Sequence, residues 1–313
     1  MSEFEHRPVL LEEAVNALNI KGAIRESGTY LDGTFGRGGH SREILNRLSE
    51  QGSLFSLDRD PEAIAAGVAL KDNESRFSIV QGNYADMERL IPVWGREAGL
   101  DGILLDLGVS SPQLDDPERG FSFRESGPLD MRMNPLRGVS AAEWLADASE
   151  KEISRVLWEF GEERKARRIA RSIVLAREQE RLESTGQLAR LIENTISRQP
   201  GKKHPATQCF QAIRIYINNE LVDLARGLQA AIKGLRPGGR LVVISFHSLE
   251  DRLVKRTLKE AARPGQVRRN IPEHPDVQPV LKLVSKVIRP SESEISVNPR
   301  ARSAVMRVAE ILS

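Results

Sequence analysis

The sequence has one cysteine, Cys209, among 313 residues. That excludes an internal disulfide and a cysteine-based zinc cluster, and it fits a reducing, cytoplasmic compartment. Its five histidines (His6, His40, His204, His247 and His274) are scattered without close pairing, so no metal site is expected. Long apolar runs are missing: the longest stretch, Leu241 to Phe246, is far short of a membrane span. The first residues carry Glu3 and Glu5 and no apolar segment, so neither a secretory signal nor an Arg-rich transit peptide is expected. No Gly-x-Ser-x-Gly elbow and no P-loop Lys-Ser/Thr occurs, which argues against an α/β-hydrolase and a P-loop nucleotidase. Charge of one sign is also scarce: the net is only +2, so the whole-chain field would not by itself draw in a polyanion.

What is present is an alternation of strand and helix patterns. Tyr30-Leu31-Asp32 ends a short strand, Gly33 to Gly39 forms a glycine-rich loop, and Ser41 reads as the N-cap of a helix whose Ile44, Leu45 and Leu48 share a face. Ser53 to Leu57 predicts a second strand closed by Asp58, with Asp60-Pro61 capping the next helix. Phe77 to Val80 predicts a third strand, Met87, Leu90, Ile91 and Trp94 a helix, and Gly102 to Leu105 a fourth strand ending at Asp106. Such alternation means a doubly wound, mostly parallel sheet with helices on both faces. The next clear strand, Arg240 to Phe246, comes far later than one crossover helix requires. Between them lie helical patterns over Ala141–Ala148, Lys151–Phe160, Glu162–Glu180, Thr185–Ser197 and Ala206–Leu235. The expectation is therefore an all-helical domain, residues 115–210, inserted into a sheet domain made of residues 1–114 and 211–313. Leu281 to Ile288 and Ser303 to Ile311 would complete seven strands, and the Pro- and Arg-rich stretch Arg263 to Pro279 is expected to be a mobile loop.

In an open parallel sheet the ligand crevice lies at the carboxyl ends of the strands, where Asp32, Asp58, Tyr84 and Asp106 all fall. Glycines in Asp32-Gly-Thr-Phe-Gly-Arg-Gly-Gly-His40 let the backbone approach a cofactor closely. As a nicotinamide fingerprint the loop fails, with Ser41 where Gly or Ala is wanted. An acid directly before the loop suits a cation, so Asp32 could face the methionine part of S-adenosylmethionine. Asp58 could take both ribose hydroxyls, and Tyr84 could lie beside an adenine. The turn Asp106-Leu-Gly-Val-Ser-Ser-Pro-Gln113 offers acceptors for an exocyclic amine. Such an amine is a poor nucleophile until hydrogen bonds aim its lone pair at a methyl held in line. Asp106, Ser111, Pro112 and Gln113 are the positioning candidates; no general base is needed, since the amine proton becomes acidic once the methyl has transferred. Phe121 and Phe123 could stack an extruded base. Basic residues gather at Arg164 to Arg171, Lys202-Lys203, Arg263 to Arg269 and Arg300 to Arg307, a possible local face for phosphates.

With these segments in view, the chain resembles the ribosomal RNA small subunit methyltransferase H family of cytidine N4-methyltransferases. The resemblance covers almost the whole chain. It runs through His6-x-Pro-Val-Leu-Leu-x-Glu13, Asp32-Gly-Thr-Phe-Gly-Arg-Gly-Gly-His-Ser41, Asp101 to Asp115, Arg119-Gly-Phe-Ser-Phe123 and Gly127 to Met133. It continues in His204-Pro-Ala-Thr207, Ser245-Phe-His-Ser-Leu-Glu-Asp-Arg252 and Asn298-Pro-Arg-Ala-Arg-Ser303. It implies a class I methyltransferase fold with S-adenosylmethionine as donor and a decoding-site cytidine of 16S rRNA in the small ribosomal subunit as acceptor. Cofactor contacts are expected at Asp32, Gly36, Gly38, Gly39, His40, Asp58, Tyr84, Asp106 and Gln113. RNA contacts are expected at Phe121, Phe123, Arg164, Arg168, His204, His247, Arg300 and Arg302. The competing readings are a methyltransferase of protein or metabolites, a non-enzymatic RNA-binding assembly factor and, more distantly, a nicotinamide oxidoreductase. A homodimer is left open.

Overall fold

The computed structural model describes residues 8–94, 98–196, 204–264 and 278–312. His6, Lys202, Lys203, His274 and most of the Arg263 to Pro279 segment lie outside the described residues. The chain divides into two compact units, Met1–Gly108 with Leu221–Ser313, and Val109–Glu220. These limits lie a few residues outside the expected helical insertion, at Gly108, which has a positive φ of 95°, and near the Asn218-Asn219 break.

In the first unit seven strands form one sheet: β1 (Thr29–Asp32), β2 (Ser53–Asp58), β3 (Phe77–Gln81), β4 (Leu100–Asp106), β5 (Leu235–Ser245), β6 (Leu281–Leu283) and β7 (Val305–Ile311), in the order β3-β2-β1-β4-β5-β7-β6. The first five run parallel, while β7 is antiparallel to both β5 and β6. Parallel strands buried on both faces run apolar through their centres, as Ile103–Leu105 of β4 and Leu241–Ile244 of β5 do. Ile103, Leu105, Leu241 and Val243 enter one core with Leu224, Leu228 and Leu258, whereas Leu104, Val242 and Ile244 enter the other with Val15, Ile44 and Leu45. The alternation follows from the two-residue period of a strand.

Several boundaries differ from expectation. Strand β5 starts at Leu235 rather than Arg240: Leu235 pairs with Leu100 and Arg240 with Gly102, so Arg236 to Gly239 bulge out, helped by Gly238 at φ 77°. Strand β6 stops at Leu283, and the chain rejoins β7 only through the bridge Ile288 to Met306, as suits a short edge strand. The helix after the glycine loop starts at Gly39 with Gly38 as its cap, so Ser41 is not the N-cap.

The second unit has its own core. Its helices Ala141–Asp147, Glu150–Gly161, Ala166–Arg177, Thr185–Ile196 and Ala206–Ile217 each bury one stripe, for example Ile153, Val156 and Leu157, or Ile169, Ala170 and Ile173. Ser140 and Ser149 cap two of them by accepting from the amides of Glu143 and Glu152, each at 3.2 Å. The continuous helix expected over Ala206–Leu235 is two helices, the second spanning Glu220–Gly234. Asn219 adopts φ 55°, a conformation Asn tolerates. Beside it Asn218 is spent on the chain, donating to the Met131 carbonyl at 2.7 Å and accepting from the Met133 amide at 2.7 Å. In the same way the helix expected from Glu162 begins at Ala166, because Glu162 sits at φ 51°.

Candidate active site

The glycine loop after β1 is stitched to the strands on either side. Its Gly33 amide donates to the Leu104 carbonyl of β4 (2.9 Å) and its Phe35 amide to the Leu57 carbonyl of β2 (3.0 Å). Gly36 donates to Oδ2 of Asp58 (2.8 Å), and the Thr34 hydroxyl accepts from the Asp106 amide (2.7 Å). Gly36 and Gly38 take φ values of 56° and 78°, which a side chain would strain. Strand order β3-β2-β1-β4 thus brings the ends carrying Asp58, Asp32 and Asp106, and the Asn83-Tyr84 turn beyond β3, to one edge of the sheet.

Asp32 is not the open acid the sequence suggested. It is buried, with Oδ1 accepting from the Thr34 amide (3.0 Å) and Oδ2 from the Ser41 hydroxyl (2.7 Å), so it anchors the loop to the following helix. Burial pushes its carboxyl up to about 6, and the Asp58 charge adds to the rise. Asp58 accepts one backbone amide on each oxygen, from Gly36 and from Asp60 (2.9 Å). Since a carboxylate oxygen has two lone pairs, each can take one more donor, which fits a pair of vicinal hydroxyls.

Asp106 carries the strongest electrostatic signal. Its Oδ1 is buried without a hydrogen-bond partner among the described residues, and its Oδ2 lies 3.6 Å from Nδ1 of His40. Burial first, then the charges of Asp32 and Glu250, raise its carboxyl well above the usual range. His40 is also buried; desolvation lowers its imidazole to about 4, and its Nε2 meets the Val9 carbonyl at 3.2 Å. A carbonyl only accepts, so Nε2 holds the ring proton and Nδ1 turns a lone pair toward Asp106. The edge is therefore electronegative and short of donors, a place for a cation or an N–H group.

Tyr84 lies against Gly227, with the Arg59 guanidinium 5.7 Å above its ring. Behind it Asp223 accepts from Asn83 (2.9 Å) and Arg59 (3.0 Å), a support the sequence reading missed because Asp223 is over a hundred residues away along the chain. Glu250 was missed as well: it is buried, takes the Phe246 amide at 2.8 Å, and lies next to His247. His247 caps the helix Ser248–Ala262, its Nδ1 accepting from the Glu250 amide at 3.4 Å. Arg300 and the exposed Arg302 lie in the turn Pro299–Ser303. Because Val305 pairs with Ser245, that turn stands at the edge where the parallel strands end.

Within the helical unit the expected residues have other surroundings. Gln113 is buried and its Oε1 accepts from the Ser110 amide (2.8 Å), stapling the short helix Ser111–Asp115 with Pro112 in its first turn. Phe121 is buried in the unit's core, 5.8 Å from the Arg119 guanidinium, so it offers no face to a base, contrary to expectation. Phe123 is half-buried against His204 and Phe210, with ring centroids 4.8 and 4.7 Å away. His204 in turn accepts from the Ala206 amide at 3.2 Å and so opens a helix. Arg164 and Arg168 are exposed.

Residues 3–312 match the model of the MraW methylase family. Ribosomal RNA small subunit methyltransferase H of Xanthomonas euvesicatoria is 53% identical over 98% of this chain and 89% of its own length. The protein of that name from Pseudoalteromonas atlantica is 53% identical over 98% of each chain. Among solved structures, a putative rRNA methylase from Clostridium thermocellum aligns over 98% of this chain and 97% of its own, at 10% identity and a TM-score of 0.46. The residues present also fit S-adenosylmethionine, the methyl donor of the family: vicinal hydroxyls for Asp58 and a cationic group for the unpartnered Asp106 oxygen. With the family match spanning nearly the whole sequence, the chain belongs to the MraW methylase family.

Proposed function

We propose that this methyltransferase acts on ribosomal RNA, methylating the exocyclic N4 amine of a decoding-site cytidine in the 16S rRNA of the small subunit, in the cytoplasm. The single observation that carries the chemistry is the buried, unpartnered Oδ1 of Asp106 at the end of β4, beside a neutral His40. The RNA substrate is supported by the names of the relatives at 53% identity.

S-adenosylmethionine, when bound, supplies an electrophilic methyl on sulfur. Asp58 would hold its ribose, Tyr84 would lie along its adenine, and Gly36, Gly38 and Gly39 would leave room for close backbone approach. Asp106 is an acceptor at the sheet edge, and an amine hydrogen-bonded to an acceptor has its lone pair turned away from the ring. Within the helical unit, Gln113 holds the Ser110-Ser111-Pro112 turn. The helical unit is the proposed substrate-recognition domain. The test is transfer of label from S-adenosylmethionine to small subunits from cells lacking the enzyme, with the modified nucleotide mapped by mass spectrometry. Label at a cytidine N4 supports the reading; label elsewhere, or none despite cofactor binding, ends it.

A further inference from the structure

A groove on the helical unit runs between the helices Glu150–Gly161 and Ala166–Arg177, and the active-site reading makes no use of it. Lys151, Arg155, Arg164, Arg167 and Arg168 line it, all exposed, against one lining acid, Glu150. On its wall stands Trp158, 62% exposed. A tryptophan normally buries its large ring, and its helix has an apolar stripe at Ile153, Val156 and Leu157 that Trp158 does not join. Lysines and arginines around an apolar pocket would deter a hydrophobic partner. An indole face among guanidinium groups instead offers the two elements that single-stranded nucleic acid uses, phosphate neutralisation and a platform for an unpaired base.

We infer that this groove binds a single-stranded RNA segment of the substrate, with a base stacked on Trp158 and flanking phosphates on Arg164, Arg167 and Arg168. The inference rests on the RNA reading above and adds a second contact region to it. The neighbouring cations have compatible lives: Arg155 is held by Glu159 at 3.0 Å, while Lys165 reaches the Ile196 carbonyl at 3.4 Å. Duplex RNA fits less well, because its stacked bases present no free face to an indole.

The experiment uses the full chain, with unlabelled single-stranded RNA, the same RNA annealed to its complement, and a polyglutamate peptide as probes. Wild type should bind the single strand, quenching Trp158 fluorescence, with Trp158→Phe as the spectroscopic control. Trp158→Ala should weaken single-strand binding roughly five- to hundred-fold. An Arg164→Ala/Arg168→Ala double variant should lower the slope of log affinity against log salt by about 1.4. Both variants should keep wild-type affinity for S-adenosylmethionine, which separates loss of the groove from misfolding. Equal RNA affinity in wild type and variants overturns the inference while leaving methylation of RNA intact. Preference for polyglutamate over RNA also overturns it, in favour of an acidic protein partner. A wild type that neither binds nor methylates RNA sinks the underlying reading itself.

Discussion

Nδ1 of His40 and Oδ2 of Asp106 face each other across 3.6 Å as two acceptors, because Nε2 of the ring is committed to the Val9 carbonyl. Two lone pairs at that separation repel unless a proton stands nearby, and the raised carboxyl of Asp106 is one way the free protein meets the need. A bound cation is the other way, and it would favour the ionised acid.

Cofactor affinity should accordingly rise with pH through the raised Asp106 range, with a proton released on binding. Titration calorimetry in two buffers of different ionisation enthalpy reads that proton directly. Asp106→Asn should bind ten- to hundred-fold more weakly at pH 8, a loss of about 1.4 to 2.7 kcal/mol, and should show a flat profile. An unchanged pH dependence in the variant would assign the titration to another group.

His40 and Asp32 act on stability in opposite directions. Burial lowers His40 from 6.5 to about 4, so its contribution is complete above about pH 6.5 and is lost as pH falls toward 4. Asp32 is raised from 3.8 to about 6, so its contribution is complete below about pH 3.8 and is lost as pH rises toward 6. Each is worth about 3 kcal/mol, and between pH 4 and 6 they nearly offset. Urea unfolding should show little slope from this pair in wild type, a steep acid loss in Asp32→Asn, and a gain toward acid in His40→Gln. Parallel curves for the two variants would contradict the assignment.

Gly38→Ala should cost about 1 to 3 kcal/mol, since the residue needs φ 78° and an added Cβ would sit 2.6 Å from the Phe35 ring. Gly22 has open space around it but combines φ 78° with ψ 152°, a backbone region essentially reserved for glycine, so Gly22→Ala should lose about 1 to 3 kcal/mol through the backbone alone. Thermal melts of the two variants check each loss; a Gly38→Ala protein as stable as wild type would contradict the clash with Phe35.

Asn218→Ala should destabilise the helical unit by about 2 to 4 kcal/mol, because it leaves the buried Met133 amide and Met131 carbonyl without their partner. Hydrogen exchange should accelerate around residues 131–133. Protection equal to wild type there would show that the backbone finds other acceptors.

How far the site was legible depended on whether a residue's role is local. The glycine loop, the Asp60 cap and the strand-ending acids follow from neighbours in sequence, and the structure places Asp58 and Asp106 at one sheet edge as the alternation implied. Asp32 was read as a ligand group because its position is right for one. Its partner Ser41, nine residues on, turns it into an anchor. The helix over residues 206–235 looked continuous because its apolar period runs through Asn218-Asn219, and the break answers to a loop near Met131.

By itself the sequence determined the parallel sheet, the helical insertion and the acids at the strand tips, since two-residue and 3.6-residue periodicities act over a few neighbours. Only the tertiary structure decided which acids stay open, which aromatic rings are buried and how far each titrates. Those depend on desolvation and on charges such as Glu250 that lie far along the chain and become neighbours through folding alone.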